Sequence, residues 1–442
     1  MWGYYVELAV RSSRRSKALT TLVIVLIAVG VATSMICYAV FRATTGDPIP
    51  SRSSELYVPQ IDNFGPSKNN QGEPPVALSY LDAVALSKAH QAPRLTLIYP
   101  TKWGVTSDNP LASSMSLAGD AVTADFFTMF DTPFRFGGGW STDDDNRHAS
   151  VAVISQRLNQ RLFGGRNSVG HDIQLDGHAY RIVGVLDDWN PRPRFFDVAS
   201  TGPLSAFDDT GYLYIPFSRA VDLKKASATY YCSANGSDPD ISGWDSFLRS
   251  ECAWINAWVE LPTASDVERY RQYLRNYAEE QQRTGRFAWP ANTRLRGLMD
   301  WLAVQRVTPK ASTLSMLVSF SFLVIAMVNV VGLMLARFMR RAPEIGVRRA
   351  LGASRSAIYR QFLTEAATIG FVGGVCGLAL TLLGMSGVGL FFEPKIARLV
   401  HLDVPLVILT LSLAITASLA SALYPAWRAA RTLPAWQIKI NG

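Results

Sequence analysis

Four long apolar runs decide what this chain can fold into. They are Leu19–Phe41, Ala311–Ala336, Ala366–Phe392 and Val404–Tyr424. The first two carry no charge, and the third is rich in glycine. A helix of about 20 apolar residues crosses the hydrocarbon layer, and each run reaches that length. A secretory signal is the competing reading of the first run. That run exceeds the usual apolar stretch of such signals, and no small-x-small cleavage site follows it. The expected fold is membrane α-helical, with four transmembrane helices and one large domain between the first and second.

Charge supports this division. The 442 residues hold 43 basic and 35 acidic side chains, a net charge of +8 that invites a nucleic-acid reading. Residues 42–310 hold 27 basic and 30 acidic residues, so the excess lies elsewhere. It sits in three groups beside the apolar runs. Arg11, Arg14, Arg15 and Lys17 precede the first run. Arg337, Arg340, Arg341, Arg348, Arg349, Arg355 and Arg360 lie between the second and third. Arg428, Arg431 and Lys439 follow the fourth. Basic residues beside a span mark its cytoplasmic end. Nucleic acid is therefore not an expected partner. Both termini are expected in the cytoplasm, and residues 42–310 outside it.

The order along the chain follows. Residues 1–18 read as an interfacial amphipathic helix, with Trp2, Tyr5, Val6 and Ala9 at helical spacing. Spans occupy 19–41, 311–336, 366–392 and 404–424. A cytoplasmic loop covers 337–365, a short outer loop 393–403, and a tail 425–442. Within 42–310, strand–helix patterns over 55–112 and 253–292 form an α+β part. It is split by a mostly β insertion over 113–252, which includes a hairpin turning at Asp176-Gly177. Helical spacing of Leu295, Leu298, Met299 and Leu302 predicts a stalk over 293–310. Cys232 and Cys252 lie in the outer region, where they are either bridged or two buried thiols. Asn235-Gly236-Ser237 fits a glycosylation sequon, a short pattern that carries little weight by itself.

Catalytic patterns are missing. The sequence has no Gly-x-x-x-x-Gly-Lys-Ser/Thr phosphate loop and no His-Glu-x-x-His. Gly137–Trp140 lacks the strand and helix of a dinucleotide site. His171 and His178 lack a third ligand for a metal. Asp143–Asp145 reads as a solvated loop. No cofactor, metal or enzymatic activity is expected in this chain. In the third span, Gly370–Gly374 and Gly373–Gly377 have the spacing that lets helices approach closely. No buried ion pair is expected in the spans, which argues against a polar path through them.

The loop "EIGVRRALGASRSAIYRQF", residues 344–362, reads as two helices joined at Gly352-Ala353-Ser354. Gly352 suits the left-handed residue that ends a helix, and Ser354 can cap the next. Anchoring by anionic lipid is the plain role of its arginines.

The stretch "RRAPEIGVRRALGASRSAIYRQFLTEAATIGFVGGVCGLAL" resembles the cytoplasmic loop and third span of MacB-type and FtsX-type ABC transporter permeases. "VTADFFTMFDTPFRFGGGWS", "VAVISQRLNQRLFGG" and "SVGHDIQLDGHAYRIVGVL" resemble the periplasmic core domain of the MacB branch. "ALYPAWRAARTLPAWQI" resembles the closing segment of that family. The resemblance implies a permease in the bacterial inner membrane that works as a dimer with a second copy or a paralogue. It implies that the α+β part is porter-like and the insertion sabre-like. It also implies a cytoplasmic ABC ATPase that binds ATP and Mg²⁺. MacB-type proteins carry that ATPase before the first span, whereas this sequence starts almost at that span, so a separate ATPase subunit is expected. By the same resemblance, Glu344, Ile345, Val347, Arg348, Arg349, Leu351 and Gly352 form the element that contacts the ATPase. Its ATP cycle would move the outer domain and support efflux of a peptide, antibiotic, siderophore or toxin. A periplasmic adaptor and an outer-membrane channel would complete that route. The alternatives are a lipoprotein-releasing transporter subunit and an FtsX-like signalling permease that controls a cell-wall hydrolase.

Overall fold

The computed structural model describes residues 16–66, 72–106, 115–232, 241–307, 310–387 and 403–430. Most of the interfacial helix expected over 1–18 lies outside the described residues. So do the sequon, the end of the third span, nearly all of 393–403 and the tail beyond residue 430. The chain divides into two compact units, Gly46–Thr308 and the combination of Met1–Thr45 with Pro309–Gly442.

The second unit is helical. Its elements are α1 (Lys17–Thr45), α6 (Lys310–Arg340), the short α7 (Ala342–Ala350), α8 (Arg355–Ser386) and α9 (Val404–Ala430). The four long helices are each long and apolar enough to cross a membrane. Val23, Ile27, Val31, Met334, Phe338, Phe362, Ala366, Leu406 and Ala414 belong to their shared buried cluster. Leu317, Val318, Ile325, Val328, Leu383 and Ile408 point outward. An apolar exterior around an apolar interior is what a lipid-surrounded bundle requires, because lipid offers no hydrophobic drive between helices. Close backbone approach and hydrogen bonds between helices hold such bundles instead. Here Ser418 Oγ donates to the Ala366 carbonyl at 2.7 Å and Ser34 Oγ to the Ser319 carbonyl at 3.1 Å.

The first unit is an α/β domain on one eleven-stranded sheet, ordered β11-β1-β10-β3-β4-β9-β6-β8-β5, with β2 and β7 paired off this path. The strands are β1 (Leu56–Ile61), β2 (Leu78–Ser79), β3 (Arg94–Thr106), β4 (Met115–Val122), β5 (Phe134–Gly137), β6 (Val151–Ile154), β7 (Asp172–Leu175), β8 (His178–Leu186), β9 (Leu213–Pro216), β10 (Ala253–Glu260) and β11 (Thr293–Gly297). Packed with them are α2 (Tyr80–Lys88), α3 (Gln156–Phe163), α4 (Ala264–Arg283) and α5 (Leu298–Val304). β10 pairs on both edges, and all its residues are buried. The strand-like alternation over 254–261 therefore does not separate a buried face from an exposed one. β3 and β4 pair from Ile98↔Val122 to Val105↔Met115. Hydrogen bonding therefore continues between the α+β part and the insertion that the sequence reading separates.

Local chemistry explains several ends. Asp176 and Gly177 both have positive φ, 49° and 80°, and turn the β7–β8 hairpin. Gly164, in the left-handed conformation, ends α3. Thr263 and Asp266 form a reciprocal capping box on α4. The helical stalk expected over 293–310 begins differently. Thr293–Gly297 is a strand paired with β1, and among the described residues of that stretch Leu298–Val304 is helical before Lys310. Alternation of Arg294, Leu295 and Arg296 is a two-residue period, which the helical spacing of the later leucines obscures.

Residues 188–250, without a clear pattern in the sequence, supply much of the core. Phe195 and Phe196 pack in edge-to-face and stacked contacts with Phe130, Trp189 and Trp258. Cys232 and Cys252 are joined by a disulfide. Buried Arg194 pairs with Asp197. Burial pushes the neighbouring Asp120 carboxyl up to about 7, with Asp197 adding to the rise and Arg194 opposing it.

Candidate coupling site

The site is built around α7. Pro343 in its first turn has no N–H to leave unpaired. Glu344 lies near its N-terminus and Arg348 and Arg349 near its C-terminus, each on the favourable side of the helix dipole. Gly352, at φ 99°, ends it. The Ala353 N–H donates to the Arg348 carbonyl and the Gly352 N–H to the Arg349 carbonyl, each at 3.1 Å. These two bonds form a Schellman termination. Ser354 then caps α8, its Oγ accepting from the Ala357 N–H at 3.1 Å.

Charged groups bind this short helix to its neighbours. Glu365 on α8, with its side chain 1% exposed, pairs with Arg337 on α6, which is fully enclosed. Arg341 Nη1 reaches the other Glu365 oxygen at 2.9 Å. Arg341 Nε also lies 3.4 Å from Glu344, and Arg348 Nη2 lies 2.9 Å from Glu344. Arg348 Nη1 donates to Gln361 Oε1 at 3.1 Å. The connected series Arg337–Glu365–Arg341–Glu344–Arg348–Gln361 joins the end of α6, the whole of α7 and the start of α8. The Phe338 and Phe362 rings meet at a tilt of 37° with centroids 4.1 Å apart, and Arg341 lies 5.7 Å from the Phe362 ring centroid. At the opposite end of the bundle, Arg42 pairs with Asp403.

The structure sorts the residues named from the sequence. Val347 and Leu351 are 61% and 83% exposed and form the apolar tip of α7. Ile345 belongs instead to the buried cluster that holds Phe338, Ile358 and Phe362. It stands on the inner face of α7, two residues from Val347, which corrects its reading as an outward contact. Glu344 and Arg348 hold each other and the neighbouring helices. Arg349 donates to the Ala430 carbonyl at 3.4 Å.

Gly370, Gly373, Gly374 and Gly377 line two seams of α8. A Cβ on Gly370 would stand 2.7 Å from Ser418 Cβ, and one on Gly374 3.0 Å from Ala414 Cβ, both on α9. Cβ atoms on Gly373 and Gly377 would meet Ile27 at 3.0 Å and the Ala28 carbonyl at 3.3 Å, both on α1.

The buried Arg337–Glu365 pair overturns the expectation of no buried ion pair in the spans. Both residues flank the charge-free runs, at the two ends of the loop expected over 337–365. A signal for it exists: Glu365 is the sole acidic residue of α8, with apolar sequence beyond it. A carboxylate at the mouth of a span calls for a buried partner.

Comparison with known proteins agrees with this architecture. Residues 18–277 match the MacB-like periplasmic core domain, and residues 316–434 match the FtsX-like permease C-terminal domain. The pyoverdine export ATP-binding/permease protein PvdT of Pseudomonas syringae pv. syringae is 25% identical over 390 residues, which are 86% of this chain and 51% of that protein. The macrolide export ATP-binding/permease protein MacB of Pasteurella multocida is 23% identical over 370 residues, 83% of this chain and 50% of that protein. The chain thus spans about half the length of the curated relatives it matches. A crystal structure of the periplasmic region of MacB from Actinobacillus actinomycetemcomitans aligns over 58% of this chain and 93% of its own, with 13% identity and a TM-score of 0.36. With four apolar helices, a large α/β domain and both domain matches, the chain belongs to the MacB-like and FtsX-like family of ABC transporter permeases.

Proposed function

We propose that this permease relays the ATP-driven movement of an ABC ATPase through α7 to the α/β domain, and so supports export. One observation carries the reading. α7 is tied to the ends of α6 and α8 by an ionic series anchored on the buried Arg337–Glu365 pair, yet presents Val347 and Leu351 outward. A short helix held this rigidly turns a push on its tip into movement of two spanning helices. The ATPase, which binds ATP and Mg²⁺, lies outside these 442 residues, since they contain no phosphate loop. The basic flanks favour a cytoplasmic α7 and cytoplasmic termini, with the α/β domain outside the cytoplasm. A second copy or a paralogue completes the dimer. The relatives named for pyoverdine and macrolide export favour a siderophore- or antibiotic-like substrate. An adaptor and an outer-membrane channel would carry it onward.

The test is affinity purification of the tagged full chain from its own membranes. An ABC ATPase is expected to co-purify, and Leu351→Asp is expected to release it while the permease stays folded. Retention of the ATPase by that variant would remove α7 as the docking element. A lipoprotein or a cell-wall hydrolase bound in place of an exported small molecule would instead support the lipoprotein-releasing or signalling alternative.

A further inference from the structure

An open apolar groove of about 560 Å³ runs along the outside of α8 and α9. Its floor and walls are Leu363, Ala367 and Phe371 of α8 and Leu419 of α9. Thr364 and Thr368 also line it, but their hydroxyls donate to the Arg360 and Thr364 carbonyls at 2.9 Å. The threonines therefore turn methyl groups, rather than donors, to the groove. Small residues make it concave, and the glycine seam to α9 keeps the two helices close enough to form one trough. From Arg360 to Phe371 it extends about three turns, or about 16 Å at 1.5 Å per residue.

One end is cationic. Arg360 lines the groove there, is exposed, and forms no ion pair among the described residues. The single carboxylate of α8, Glu365, lies between groove residues in sequence. It is turned inward and is held by Arg337 and Arg341. Among the described residues, no acidic side chain lines the trough. The same end of the bundle carries the basic loop and, on α9, the exposed rings of Tyr424 and Trp427, which suit the headgroup level of a bilayer.

We propose that this groove binds one anionic glycerophospholipid, with an acyl chain along Leu363, Ala367 and Phe371 and its phosphate at Arg360. A cation without an ion pair among the described residues, at the mouth of an apolar trough on a surface facing lipid, matches a molecule with a negative head and an apolar tail. A second protein chain would leave Arg360 needing a carboxylate of its own.

The experiment is native mass spectrometry of the full chain released from nanodiscs of equal phosphatidylglycerol and phosphatidylcholine. Wild-type protein is expected to retain one phosphatidylglycerol in preference to phosphatidylcholine. Arg360→Gln is expected to lower phosphatidylglycerol retention about fivefold, the loss of one arginine–headgroup contact, and to leave phosphatidylcholine unchanged. Arg355→Gln, which removes an exposed arginine outside the groove, is expected to change retention less than twofold. Ala367→Leu, which fills the trough, is expected to lower retention of both lipids. Equal losses in the Arg360 and Arg355 variants would reduce the effect to general basic charge and overturn the proposal. Unchanged lipid with a loss of dimer mass in Ala367→Leu would identify the groove as a subunit seam and overturn it as well.

Discussion

Replacing Glu365 with alanine isolates the Arg337–Glu365 pair. Both side chains are withdrawn from solvent, at 0% and 1% exposure. The substitution leaves the Arg337 guanidinium buried without its carboxylate. Removing one partner of a buried pair costs about 3–5 kcal/mol, because the remaining charge keeps its desolvation penalty. At 1.4 kcal/mol per tenfold, that lowers the folding equilibrium by about two to three and a half powers of ten. Arg341 also loses its 2.9 Å contact, but its side chain is 19% exposed and can reach water. The double replacement Arg337→Met with Glu365→Leu removes both charges and fills a similar volume. It is expected to lie within about 1.5 kcal/mol of the natural protein. SDS titration in mixed micelles measures the complete cycle of single and double variants. A single-variant loss below about 1 kcal/mol would refute the reasoning, since it would mean that the pair is hydrated in the membrane.

Further outcomes follow from other parts of the molecule. Gly370→Ala forces a Cβ within 2.7 Å of Ser418 and is expected to cost about 1–3 kcal/mol in the same titration, whereas Gly332→Ala, with open space around it, is expected to cost nothing. Replacing both Cys232 and Cys252 with alanine releases a loop with a sequence separation of 20 and is expected to lower stability by about 3 kcal/mol, read as an earlier thermal transition. Asp120 binds its proton more tightly folded than unfolded, with its pKa raised from 3.8 to about 7 by burial. Its contribution to stability is therefore greatest below about pH 4 and is lost as pH rises to about 7. Asp120→Asn is expected to flatten the dependence of thermal stability on pH across that window.

How much of this was legible in sequence depended on distance along the chain. The four spans are contiguous runs, and the Asp176-Gly177 turn needs only two adjacent residues with positive φ. The residues of α7 and its glycine termination were equally local. The Arg337–Glu365 pair was legible only by half: the lone carboxylate of α8 signals that a partner is needed, but no local pattern says which residue supplies it. Ile345 and Val347 are similar apolar residues two positions apart, and only the packing of α7 decides which faces inward. Phe195 and Phe196 lie in a proline-containing stretch without periodicity, so their place against Trp258 depends on tertiary contacts. The strand at Thr293–Gly297 was hidden because five residues hold too few alternations to outweigh the helical spacing that follows.

The proposed relay is tested most directly by assaying ATP hydrolysis and export together in proteoliposomes that contain the permease and whatever ABC ATPase co-purifies with it. The informative variant is the stable double replacement Arg337→Met with Glu365→Leu, which keeps the Val347 and Leu351 tip but cuts the buried link from α6 to α8. The relay account predicts that this variant binds the ATPase, hydrolyses ATP and no longer exports. Export at the natural rate per ATP hydrolysed would contradict it.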